Sequence, residues 1–117
     1  MHAEQYEVAP SPLGRIAVSN AAIVQIVGHA AAESYGVVAL AGRSRMSRLV
    51  PWGIKKGVDV ERGEQGLVIE LRVVVQRGLK LAEVATAVRS RVLYEVERMV
   101  GIPIAELQVH IDAVRGG

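Results

Sequence analysis

The spacing of apolar residues divides the chain into short regular pieces. Arg15-Ile16-Ala17-Val18 alternates as a strand does, and Ser19 behind it is a good helix N-cap. Ile23, Ile26, Val27, Ala30 and Ala31 then fall at i, i+3, i+4, i+7 and i+8, the stripe of a helix that Gly36 closes. Val37-Val38-Ala39-Leu40 is a brief β-branched run and reads as a strand. Val58-Asp59-Val60-Glu61 alternates, residues 62–66 supply a turn, and Leu67 to Gln76 is the strongest strand signal, so the pair reads as a β-hairpin. Along that strand Leu67, Ile69, Leu71, Val73 and Val75 share one face, while Val68, Glu70, Arg72, Val74 and Gln76 share the other. One wholly apolar face and one mixed face predict a sheet covered by helices on a single side.

A second helix is predicted from Leu81 to Val100, with Leu81, Val84, Ala85, Val88, Val92, Val96, Met99 and Val100 as its buried stripe and with Gly101 and Pro103 as its stop. Glu106 to Val114 alternates again, placing Leu107, Val109 and Ile111 inward and Gln108, His110 and Asp112 outward. The order β-α-β-β-β-α-β predicts an α+β two-layer sandwich, with two helices packed on one face of a mainly antiparallel sheet. Pro10 and Pro12 oppose regular structure, so residues 1–13 are expected to form a flexible leader ahead of a single domain at 14–115.

A hydrophobic fraction of 50% against 22% charged residues belongs to a globular chain, not to a disordered one. Aromatic residues are only Trp52, Tyr6, Tyr35 and Tyr94, so the core must be aliphatic. The absence of cysteine excludes disulfides, thiolate ligands and cysteine nucleophiles, and it suits a reducing compartment. Acids and prolines stand at the N-terminus where a signal peptide needs a basic start and an apolar run, and no stretch reaches the roughly 18–20 apolar residues of a membrane span. Cytoplasmic residence is the expectation.

The net charge of +2 conceals a local concentration. Arg43, Arg45, Arg48, Lys55 and Lys56 lie within residues 43–56 with no acid among them, which leaves the rest of the chain at −3. Interleaved with Met46, Leu49, Val50, Trp52 and Ile54, they form a candidate contact for a partner or an anionic surface. The plainer reading is a solvated loop whose apolar residues fold back on the domain.

Catalysis needs groups that converge on one point, and the sequence shows none. His2, His29 and His110 fall in the leader, off the apolar stripe of the first helix and on the outward face of the last strand. No H-x-x-x-H, H-x-x-E-H, G-x-S-x-G or phosphate-binding glycine motif occurs. Gly63-Glu64-Gln65-Gly66 matches the G-x-x-G clamp of KH-type RNA-binding domains, but it lies between strands and carries an acid, so a hairpin turn is expected. The chain is therefore expected to be non-enzymatic, with no catalytic residue, no cofactor, no metal and no small-molecule substrate.

Residues 14–40 (GRIAVSNAAIVQIVGHAAAESYGVVAL), 55–61 (KKGVDVE) and 67–114 resemble, in that order, the glycine and apolar pattern of the bacterial alkaline shock protein family, also described as Gls-type general stress or envelope stress response proteins. Ala82 stands where that family often has Pro, Arg89 where it often has Gln, and Val100 where it often has Thr. The resemblance implies a self-associating scaffold or adaptor near the cytoplasmic membrane. It further implies a homo-oligomer held at the inner face of the membrane by a membrane-anchored partner protein, with no catalytic residues. The alternative is a KH-like nucleic-acid-binding module that uses residues 43–56.

Overall fold

The computed structural model describes residues 6–11, 14–41 and 57–116. Its elements are β1 (Tyr6–Ser11), β2 (Gly14–Ser19), α1 (Asn20–Ala32), β3 (Val37–Leu40), β4 (Val58–Gly63), β5 (Gly66–Gln76), α2 (Leu81–Met99) and β6 (Ile104–Arg115). This is the expected α+β arrangement of two helices against a sheet, with one element more than the sequence pattern implied. Tyr6–Ser11 falls inside the expected leader, yet it pairs antiparallel with β2, Pro10 lying opposite Arg15. A two-stranded ribbon leaves each strand one unpaired edge, and there a residue without an N–H is tolerated. β2 accordingly pairs with β1 and not with the main sheet.

β5 organises the four-stranded sheet. β6 runs parallel to it on one side, and β3 and β4 both run antiparallel on the other. The β5–α2–β6 unit is the crossover that a parallel pair requires. Leu67, Ile69, Leu71, Val73 and Val75 are fully buried against Ile23, Val24 and Val27 of α1 and Val84, Val88, Val92 and Val96 of α2. The hydroxyl of Ser19 accepts from the Ala22 amide at 3.1 Å, the N-cap bond its position predicted.

The helix stripes differ from expectation at their edges. Leu81 and Met99, in the first and last turns of α2, are 44% and 57% exposed, although Val100 just past the helix is buried as expected. On α1 the buried face takes in Val24 and Gly28 as well. α1 carries no Asp, Glu, Lys or Arg, so periodicity marks its inner face weakly.

β3 and β4 are two halves of one strand position. Leu40 pairs with Val73 and Val58 with Leu71, so a single residue should face Arg72. Two residues share that place. The Ala41 N–H donates to the Arg72 carbonyl at 2.8 Å, and the Arg72 N–H donates to the Gly57 carbonyl at 2.9 Å. Both ends of the intervening segment are thus tied to one residue of β5. Gly57 adopts φ +78°, and a Cβ there would lie 2.2 Å from the Ala41 carbonyl oxygen and 2.7 Å from that of Arg72. Only glycine fits.

Candidate functional site

The six residues singled out as a partner or anionic contact, Arg43, Arg45, Arg48, Trp52, Lys55 and Lys56, lie outside the described residues. The structure does give the origin of their segment, the Ala41–Gly57 pinch opposite Arg72, at the sheet position farthest from β6.

On the sheet face away from the helices, alternation and register collect polar groups. Arg72 is opposite His110, and Glu70 is flanked by Asp59 and Gln108. His110 Nε2 stands 2.8 Å from Glu70 Oε2, Arg72 Nη2 is 3.9 Å from that same oxygen, and Arg72 Nη1 is 3.3 Å from Asp112 Oδ1. Asp112 reaches Arg72 because it is the extra residue of a bulge between the Val73–Ile111 and Val74–Ala113 pairs. A depression of about 130 Å³ beside this row is lined by Asp59, Glu61, Val68, Ile69, Glu70 and Gln108. His110 was expected to stand alone, and Glu70 and Arg72 to be a plain solvated face. Alternation assigns a side chain to a face but does not name its neighbour on the next strand, and these neighbours depend on the parallel β5–β6 register.

Alternation placed Val74 on this mixed outer face. It is on the face but only 3% exposed, between Ala39 and Ala113 in the register, so it supplies no accessible apolar patch.

Across the outer surfaces of the helices, Arg91 of α2 bonds Glu33 at 3.1 Å and approaches Glu95 at 3.5 Å, Glu95 bonds Arg98 at 3.1 Å, and His29 lies 3.3 Å from Glu33. Arg91–Glu95 and Glu95–Arg98 are pairs at helical contact spacing on α2, whereas Arg91–Glu33 joins the two helices. Next to them a groove of about 310 Å³ is lined by Gln25, Ile26, His29, Glu95 and Met99. The Gly63–Gly66 stretch is the two-residue hairpin turn between β4 and β5. Among the described residues, no three His, Asp or Glu side chains are grouped so as to hold a metal ion. Ser34 is occupied by the Ala30 carbonyl at 2.9 Å, and Ser19 by its cap. Neither of these two serines is bonded to the His110–Glu70 pair.

The described residues build an α+β sandwich around an aliphatic core. The chain belongs to the alkaline shock protein 23 family, described as having a cell envelope-related function, whose model matches residues 9–116. It is 28% identical over 107 residues to the uncharacterized protein YloU of Bacillus subtilis, covering 87% of this chain and 89% of that one. The uncharacterized protein Spy1614 of Streptococcus pyogenes is 28% identical over 107 residues, with 87% and 88% covered. The uncharacterized protein YqhY of Bacillus subtilis is 27% identical over 106 residues, with 88% and 78% covered. No solved structure matches the chain. No helix among the described residues is long and apolar enough to cross a membrane.

Proposed function

We propose that this protein serves the cell envelope without catalysing a reaction, as a self-associating scaffold or adaptor at the inner face of the cytoplasmic membrane. A membrane-anchored partner protein holds it there. Membership of a cell envelope-related family over residues 9–116 carries this reading. The pairing of Glu70, Arg72, His110 and Asp112 with one another supports it, since such groups serve a surface more readily than a reaction. The basic segment, with Arg43, Arg45, Arg48, Lys55 and Lys56, is the part suited to an acidic partner or an anionic headgroup.

Three measurements test the proposal together. Light scattering across a concentration series should show a mass that rises with concentration. Fractionation of host cells should recover the protein with membranes, and flotation of the purified chain with anionic vesicles alone should recover little of it. A strict monomer found only in the soluble fraction overturns the reading. Salt-dependent binding of single-stranded RNA or DNA that disappears when the five cations are replaced would support the nucleic-acid module instead.

A further inference from the structure

β6 is the outer strand of the sheet on the side opposite β3 and β4, and which of its peptide groups are free follows from the ladder. In β5 the amides of Leu67 and Arg77 donate to the Pro103 and Arg115 carbonyls at 2.9 Å, whereas those of Arg72 and Gln76 donate to the Gly57 and Gly36 carbonyls on the other side. Odd-numbered residues of β5 therefore address β6. In a parallel ladder such a residue bonds to the two residues flanking its partner. Ile69, Leu71 and Val73 are in register with Leu107, Val109 and Ile111, so their bonds fall on Glu106, Gln108, His110 and Asp112. The peptide groups of Leu107, Val109 and Ile111 are turned outward, along an edge that no other strand covers among the described residues.

This edge is only partly protected. β6 runs from Ile104 to Arg115 with no Pro or Lys, and its bulges are confined to the two ends, around Ala105 and Asp112. Between the bulges one carbonyl is engaged from elsewhere. Arg89, on the exposed side of α2, donates its Nη1 hydrogen to the Leu107 carbonyl at 2.7 Å. A charge-assisted bond of that length is strong, and it holds an acceptor that an added strand would need.

We propose that the β6 edge is where a second copy of this chain adds, strand to strand and antiparallel, and that Arg89 limits this association by occupying the Leu107 carbonyl. The side chains favour a second copy over an arbitrary strand. Outward peptide groups must meet outward peptide groups. With Leu107 opposite Val109 of the second copy, Glu106 faces His110 twice by symmetry, Gln108 faces itself, and the contact stays within the bulge-free stretch. The next register, with Val109 opposite itself, sets Glu106 against Asp112 and is repelled. This inference rests on the self-association reading and names its surface.

Sedimentation velocity over a concentration series of the full chain tests it, with circular dichroism to verify folding. Arg89→Ala should tighten self-association about a hundredfold, because two charged hydrogen bonds, one per copy and each worth about tenfold, are no longer broken on assembly. Val109→Pro removes an amide that β5 does not use and should abolish the gain in the Arg89→Ala background. Should that variant fail to fold, Glu106→Lys, at an exposed position, should weaken association instead. An Arg89→Ala protein that associates no more tightly than the parent overturns the inference. So does association indifferent to both Val109→Pro and Glu106→Lys, although self-association through another surface then stands. A parent and an Arg89→Ala variant that both stay monomeric at the highest concentration overturn the inference and the self-association reading together.

Discussion

Gly57 and Gly101 share a backbone angle, φ +78°, and differ in what surrounds them. A Cβ on Gly101 meets nothing within 4 Å, whereas one on Gly57 strikes two carbonyl oxygens. Gly101→Ala should therefore lose only the left-handed strain, about 1–2 kcal/mol. Gly57→Ala should lose that and at least about 2 kcal/mol more from overpacking against backbone that cannot move aside. Urea unfolding of the two variants isolates the contact as their difference, and equal midpoints would show that the pinch is relaxed in solution. Gly101 was legible in the sequence as a helix stop. Gly57 was not, because its demand comes from Ala41 and Arg72, which are distant in the chain and meet it only once β3 and β4 have both docked on β5. The His110–Glu70 pair and the Arg89–Leu107 bond were hidden for the same reason: each joins residues of different elements whose relative register no local pattern encodes.

The element patterns were legible where burial has a clean period. β5 was read correctly residue by residue on its inner face, since one continuous strand under two helices must alternate. The stripe of α2 held at Val84, Val88, Val92, Val96 and Val100, which repeat every four residues, and failed at Leu81 and Met99, which fall outside that repeat. The distinction is measurable. Val88→Ala empties part of a fully buried site and should destabilise the fold by about 2 kcal/mol. Met99→Ala, at a position 57% exposed, should shift stability by no more than about 0.5 kcal/mol. Thermal unfolding of the pair decides the matter; a large loss at Met99 would mean that the groove it lines with Ile26 is filled in the working protein, by a second copy or a partner. The β1 strand was missed because two prolines argue against a strand in general and say little about an exposed edge.

At the scale of the molecule, β5 separates two surfaces that can be altered independently. On one side lies β6 with its open edge; on the other, the β3–β4 position is broken at Arg72 by an excursion carrying five cations. Ala41 supplies the donor and Gly57 the acceptor that one residue would supply in an unbroken strand. Removing residues 42–57 and joining Ala41 to Val58 should restore that residue, with Leu40 and Val58 both inward and Ala41 between them facing out. The joined chain also closes a shorter loop, which lowers the entropy lost on folding. It should therefore unfold cooperatively with the sheet intact and keep whatever self-association the β6 edge provides. Its net charge falls from +2 to −3 as five cations leave with no acid, so retention on heparin should fall sharply. Circular dichroism, sedimentation and a salt-gradient elution report on these separately. A deletion that fails to fold would place Trp52 and its apolar neighbours in the core, whereas one that folds and still binds anions as the parent does would remove the basic segment from any account of partner recognition.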